Sequence, residues 1–202
     1  MITCTRESDV IWNLPLALTW LRILAIPLVI LLFYFGVSEP LRWFDPAAGL
    51  VFAVAAITDS LDGYLARRWN ETSAFGAFLD PVADKLIVCI ALVLIVSRDP
   101  RWVMILSAIV IIGREIAVSA LREWMAELGQ RGRVQVSELG KYKTILQMVG
   151  LSLLLYRHDV LGAPTYLLGE WLLVAAAALT LWSMGVYLRA AAPYLAQHSR
   201  QE

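Results

Sequence analysis

Charged residues, cysteine and histidine are scarce in this sequence. Only 17% of its 202 residues are Asp, Glu, Lys or Arg, and it contains two cysteines and two histidines. Cys4 and Cys89 have neither the spacing of a metal site nor that of a disulfide framework, so we interpret both as structural. His158 and His198 lie far from the acidic residues described below and are not catalytic candidates. The net charge of zero gives no indication of a nucleic-acid partner.

Apolar residues, by contrast, are abundant. They make up 59% of the chain, and the mean hydropathy is +0.67. A soluble domain is about half apolar and about a quarter charged, so this composition indicates a polytopic membrane protein. The first apolar segment has no basic stretch before it and no small-residue cleavage site after it. We therefore expect it to be a retained span and not a cleaved signal peptide.

Six apolar runs could form helices that cross a bilayer, which takes about 20 residues each. The fifth is short and spans only if its helix begins near Ser137. We predict an all-α, single-domain membrane protein over residues 1–202, with six transmembrane helices and a short interfacial segment at residues 10–12. The six runs are residues 14–35, 47–65, 75–96, 102–121, 144–156 and 165–188.

The distribution of Lys and Arg predicts the orientation of these spans. Ten of the 17 basic side chains flank one side, four flank the other, and three lie inside spans. Because cytoplasmic loops carry the excess of Lys and Arg, both termini should face the cytoplasm. The stretch from Asp59 to Asp84 then lies at the cytoplasmic mouth.

Four carboxylates occur in this otherwise apolar stretch: Asp59, Asp62, Asp80 and Asp84. The spacing of three between the first two and of four between the last two places each pair on one helical face. Four carboxylates in a small volume do not all stay ionised without cations. Hard oxygen ligands favour Mg²⁺ or Mn²⁺, and a pair of such ions suits phosphoryl chemistry. Nearby small residues are more often helix-packing devices than ligand sites, but four facing acids indicate chemistry.

The start of the third helix has two interpretations. Thr72 or Ser73 could cap one continuous helix, which would then contain Pro81. Alternatively, Asp80 could be the cap, with Pro81 at the first helical position. We favour the continuous helix because it places Gly76, Asp80 and Asp84 on one face.

The stretch from Asp59 to Asp84 resembles the signature of the CDP-alcohol phosphatidyltransferase family at each position that the signature specifies. The likeness continues in segments 13–22, 114–129, 140–144 and 179–184, which are similar to bacterial members that use glycerol 3-phosphate. The resemblance implies a six-helix enzyme, commonly a homodimer, in the bacterial plasma membrane among membrane lipids. It would transfer a phosphatidyl group from CDP-diacylglycerol to glycerol 3-phosphate and release CMP. The signature residues are Asp59, Asp62, Gly63, Ala66, Arg67, Gly76, Asp80 and Asp84.

The resemblance also implies roles for individual residues. Asp59, Asp62 and Asp80 would be ligands of two Mg²⁺ or Mn²⁺ ions, with Asp84 at the second metal. Asp84 would also be the general base that takes the proton from the acceptor hydroxyl. The residues that would contact the cytidine diphosphate are Thr19, Asp59, Gly63, Ala66 and Arg67.

A separate group of basic residues suggests an anion site for the acceptor. Arg114 lies in an apolar run, where an unpaired cation is unfavourable. Glu115 points about 100° away on the helix, so we expect it to be a poor partner and a phosphate to be a better one. A structural ion pair is the alternative for Arg114. The other candidate phosphate ligands are Arg122, Lys141 and Lys143.

A phosphate-binding acceptor site favours glycerol 3-phosphate, but inositol phosphate would satisfy the same basic residues. A sibling transferase that uses inositol phosphate or serine therefore stays an alternative. A divalent-cation transporter is a remote one, since its acids would be distributed along a path through the membrane.

Overall fold

The computed structural model describes residues 14–38, 43–69, 74–127, 138–160 and 162–198. Within the helices, the side chains of residues 14–18, 59–69, 74–78, 80, 122, 126–127, 138–141, 186–188 and 190–198 fall outside this description. The described residues form six helices, which confirms the predicted all-α class. They are α1 (Leu14–Ser38), α2 (Phe44–Trp69), α3 (Ala74–Arg98), α4 (Trp102–Glu127), α5 (Glu138–Tyr156) and α6 (Thr165–His198).

The helix boundaries follow the apolar runs closely. α3 begins at Ala74 and contains Pro81, as the continuous-helix interpretation predicts. α5 begins at Glu138, next to the predicted start at Ser137, and this extension gives it 19 residues. α6 is longer than its apolar run and ends at His198. The predicted interfacial segment at residues 10–12 lies outside the described residues.

Several helices present apolar side chains to their surroundings. Leu24, Trp102 and Trp171 are 65%, 76% and 66% exposed, which water would disfavour and lipid would not. Among the described residues, three segments are long and apolar enough to cross a membrane, namely Thr19–Ser38, Trp102–Met125 and Thr165–Gly185. A shorter apolar helix covers Phe44–Thr58. This architecture is that of a polytopic membrane protein.

The helices surround one hydrophobic core. α1 packs on α2 and α3, α5 packs on α2 and α6, and α4 packs on α3 and α6. Phe52, Leu92, Ile111 and Leu151 are at most 1% exposed and come from four different helices. α3 also packs on α5, so it contacts both α4 and α5, and these three helices line the cavity described below.

Glycine allows two close helix contacts. A Cβ on Gly150 of α5 would lie 3.1 Å from the carbonyl oxygen of Gly169 in α6, and one on Gly169 would lie 3.0 Å from the Gly150 oxygen. A Cβ on Gly49 of α2 would lie 2.7 Å from the backbone of Tyr156 in α5. Small residues at such crossings let helix backbones approach closely in membranes. These contacts set the position of α5 between α2 and α6.

Ion pairs join the helices at the end opposite to the acidic stretch. Arg101 donates to Asp99 at 2.7 Å and to Glu170 of α6 at 2.8 Å. The hydrogen bond from Arg101 is the main cause that lowers the pKa of Asp99 to about 2. Arg98 donates to Asp45 at 2.6 Å and thereby connects α3 to α2. These contacts close the bundle at the predicted non-cytoplasmic end.

Candidate active site

The predicted site residues divide into two groups in the structure. Thr19, Asp84, Arg114 and Lys143 have described side chains. For the others, the structure gives only the helix on which they lie, so their roles stay predictions. Asp59, Asp62, Gly63, Ala66 and Arg67 lie on α2, Asp80 on α3, Arg122 on α4 and Lys141 on α5.

Asp84 lies on α3 and pairs with Arg22 of α1. The Arg22 side chain is 1% exposed, whereas the Asp84 side chain is 35% exposed. A buried guanidinium that pairs with a partly exposed carboxylate fixes the direction of that carboxylate. The predicted base is therefore held by a buried cation and is partly exposed.

Arg22 was not predicted to belong to the site. The signal that could have found it is the same one that singles out Arg114, namely a cation within an apolar helix. Thr19, one helical turn before Arg22, is also buried, with 4% of its surface exposed. Because both side chains are buried, the face of α1 that carries them points toward the interior of the bundle.

A second charged cluster joins α4 to α5. Arg114 donates to the Glu115 carboxylate at 2.8 Å, and Lys143 of α5 donates to the same oxygen at 2.8 Å. The prediction that Glu115 is a poor partner for Arg114 is wrong. The 100° offset describes where the side chains leave the helix, but both are long enough to curve toward each other. Glu115 is thus a residue of the candidate site that the sequence pattern did not indicate.

These two clusters border one cavity of about 250 Å³ between α3, α4 and α5. Asp84 lies on one wall and Glu115, the carboxylate that Arg114 and Lys143 share, lies on another. Gln147, on α5, also lines the cavity and was not predicted. The lining residues are Pro81, Asp84, Lys85, Val88, Glu115, Thr144, Gln147 and Met148.

An apolar groove of about 350 Å³ adjoins this cavity. It runs between α2 and α5, where Ile57 and Ile145 are among its walls, and it shares Thr144 and Met148 with the cavity that Asp84 and Glu115 line. A cavity with charged side chains on its walls beside an apolar groove suits chemistry on the headgroup of a lipid, because each part of such a molecule then meets a surface like itself.

The described residues contain no group of three or more His, Cys, Asp and Glu side chains that could hold a metal. The side chains of three predicted ligands, Asp59, Asp62 and Asp80, lie outside the description. The predicted two-metal site is therefore not tested by the structure. The fourth carboxylate, that of Asp84, has the hard oxygen donors that Mg²⁺ and Mn²⁺ prefer and is accessible from the cavity.

Comparison with known proteins identifies the family. The CDP-alcohol phosphatidyltransferase profile matches residues 12–182. The chain is 51% identical over 180 residues to a CDP-diacylglycerol–glycerol-3-phosphate 3-phosphatidyltransferase of Shigella flexneri serotype 5b (strain 8401). The aligned residues cover 89% of this chain and 95% of the relative. A protein of the same description from Escherichia coli (strain K12) gives the same identity and coverage. This chain therefore belongs to the CDP-alcohol phosphatidyltransferase family.

Proposed function

We propose that this protein transfers the phosphatidyl group of CDP-diacylglycerol to glycerol 3-phosphate, giving phosphatidylglycerophosphate and CMP in phospholipid biosynthesis. The observation that carries the proposal is the cavity that Asp84 and Glu115 share. It brings a carboxylate suited to deprotonate an alcohol close to a basic cluster suited to hold a phosphate. The relatives at 51% identity are named for this reaction.

Asp84 is the general base of the proposed reaction. Its carboxylate takes the proton of the acceptor hydroxyl as that oxygen attacks the β-phosphorus of CDP-diacylglycerol. The bond between this phosphorus and the bridging oxygen breaks, and the electron pair leaves with CMP. Arg22 pairs with this carboxylate, and Asp84 lines the cavity. Arg22 is a positioning residue, since it acts through Asp84.

We propose that Asp59, Asp62, Asp80 and Asp84 hold two Mg²⁺ or Mn²⁺ ions. The four residues supply hard oxygen donors from the last part of α2 and the first part of α3. When bound, such ions polarise phosphate oxygens and offset developing negative charge. Thr19, Gly63, Ala66 and Arg67 complete the proposed contact with the cytidine diphosphate.

The cations near the cavity support an anionic acceptor. Four cations and two carboxylates lie among the described residues at its walls or directly behind them. Glu115 holds Arg114 and Lys143 close together, and the N–H donors of such side chains suit a phosphate. Arg122 and Lys141 extend the proposed phosphate site. The four cations are Arg22, Lys85, Arg114 and Lys143, and the two carboxylates are Asp84 and Glu115.

We further propose the setting of the enzyme. The chain crosses a bacterial plasma membrane six times, with its termini and the active site on the cytoplasmic side, and functions as a homodimer among membrane lipids. The excess of Lys and Arg on one side of the spans supports the orientation. Homodimerisation rests on the family resemblance alone.

The test is CMP release by the purified, detergent-solubilised protein supplied with CDP-diacylglycerol, Mg²⁺ and glycerol 3-phosphate. We expect turnover that a chelator removes and that Mg²⁺ or Mn²⁺ restores. Inositol phosphate and serine are offered in parallel, and faster release with either would replace the proposed acceptor. No release with any of the three alcohols, from folded protein, would contradict the proposed activity.

Asp84→Asn tests the role of the base. It should reduce turnover by at least about 100-fold, the size of a general-base contribution, while binding of CDP-diacylglycerol stays measurable. Asp159→Asn is the matched control, because it makes the same chemical change at an exposed carboxylate in the segment before α6. Equal turnover in the two variants would remove Asp84 from its role.

A further inference from the structure

Gln147 is a buried polar residue whose oxygen lacks a hydrogen-bond partner among the described residues. It lies on α5, is 4% exposed, and its Oε1 atom accepts no hydrogen bond from the part of the chain that the structure describes. A buried amide oxygen without a partner is unfavourable, so most such groups in folded proteins are paired. Gln147 also lines the cavity that Asp84 and Glu115 share. The molecule that enters this cavity can supply the missing partner.

The position of Gln147 relates it to both ends of the proposed acceptor. It lies one helical turn after Lys143, and both side chains are buried on the same face of α5. Lys143 reaches the Glu115 cluster, where the phosphate is proposed to bind. Asp84, the proposed base for the reacting hydroxyl, lines the cavity from α3. Gln147 therefore borders the same cavity as Asp84, the proposed base, and Glu115, the carboxylate that joins two of the proposed phosphate ligands.

The size of the cavity fits a small polar molecule. At about 30 Å³ for each molecule of liquid water, 250 Å³ corresponds to roughly eight waters. A three-carbon alcohol phosphate fits in such a space, whereas a whole nucleotide lipid does not. A primary amide has an acceptor oxygen and two N–H donors, so it can pair with a hydroxyl in either direction.

We infer that Gln147 hydrogen-bonds the hydroxyl on the middle carbon of the acceptor, which does not react, and so makes the enzyme selective for it. This inference rests on the proposed function, since it assigns the phosphate to the basic cluster and the terminal hydroxyl to Asp84. A site that hydrogen-bonds a substrate hydroxyl rejects the analogue that lacks it, because its own buried group is then left unpaired.

The experiment compares two acceptors, glycerol 3-phosphate and 3-hydroxypropyl phosphate. They have the same phosphate and the same terminal hydroxyl, and the second lacks the hydroxyl on the middle carbon. The ratio of kcat/KM for the two is measured by CMP release. We expect the wild-type protein to prefer glycerol 3-phosphate by about 30-fold or more, the order of the penalty for one buried polar group left unpaired.

Gln147→Met keeps the length of the side chain and removes the amide, so we expect the preference to fall below about 3-fold. Ser183→Ala is the matched control. It also removes a buried polar group, but Ser183 lies on α6, its hydroxyl donates to the Thr180 carbonyl at 3.0 Å, and it does not line the cavity. The control should keep the wild-type ratio. Gln147→Asn, which shortens the amide side chain, should give an intermediate preference and serves if Gln147→Met fails to fold.

Two results would overturn the inference while leaving the proposed function intact. One is a wild-type protein that uses both acceptors equally well, which requires no variant. The other is a Gln147→Met protein that loses activity with both acceptors by the same factor, since a purely structural role lowers both equally. Absence of CMP release from folded wild-type protein would instead contradict the proposed function itself.

Discussion

Gly49 gives a sharp test of the packing that positions α5. A Cβ added at this position would lie 2.7 Å from the N, Cα and Cβ atoms of Tyr156. Ordinary carbon contacts are about 3.5–4.0 Å, so the two helices would have to separate by roughly 1 Å. Two of the three atoms belong to the backbone, which cannot rotate away as the end of a side chain can. We therefore expect Gly49→Ala to destabilise the contact between α2 and α5.

Gly113 provides the reference for this variant. It lies within α4, and an added Cβ would meet nothing within 4 Å. Gly113→Ala should therefore stabilise the protein by up to about 1 kcal/mol, which is the helix-propensity difference between alanine and glycine. Gly49→Ala gains the same propensity but also incurs an overpacking cost of about 1–3 kcal/mol. The unfolding free energies of the two variants should thus differ by about 1–3 kcal/mol, with Gly49→Ala the less stable.

The assay is equilibrium unfolding in detergent micelles, followed by tryptophan fluorescence, with wild type and both variants measured under identical conditions. Near-equal unfolding free energies for Gly49→Ala and Gly113→Ala would refute the close approach of α2 and α5. The proposed active site lies toward the other end of α2, where Asp59 is located. The surviving folded fraction of Gly49→Ala should accordingly release CMP at a rate near that of wild type.

Two further predictions concern charged side chains. The folded-state pKa of Asp99 is about 2, below its ordinary value of about 3.9, so its carboxylate stabilises the fold above about pH 4 and this contribution is lost as the pH falls toward 2. The melting-temperature gap between wild type and Asp99→Asn should narrow over that interval, and a constant gap would contradict the role of Arg101. Glu115→Gln removes the carboxylate shared by two buried cations and should cost about 3 kcal/mol of unfolding free energy. Lys143→Met leaves the pair of Arg114 and Glu115 in place and should cost less, so the reverse order in thermal unfolding would refute this account of the cluster.

Local sequence pattern was sufficient to predict most of the fold. The apolar runs are long, and the limits of a membrane helix depend mainly on how many consecutive residues tolerate lipid. The start of α3 before Pro81 followed from the helical spacing of Gly76, Asp80 and Asp84. These are properties of one segment at a time, so no knowledge of the neighbouring helices was required.

The partners of the charged residues could not be predicted in this way. Asp84 pairs with Arg22, which is 62 residues away, and Lys143 reaches Glu115 across 28 residues. Glu115 was rejected as a partner of Arg114 because the prediction considered only the angle between two positions on a helix. Side-chain length and the approach of a third residue from α5 decided the outcome.

By itself, the sequence determined that this is a helical membrane protein with a charged stretch whose spacing is that of its family. The tertiary structure decided that Arg22 backs Asp84, that Glu115 joins Arg114 to Lys143, and that Gln147 shares their cavity. The physical reason is that helical periodicity depends on the chain's own neighbouring residues, whereas burial and ion pairing depend on which helices pack side by side.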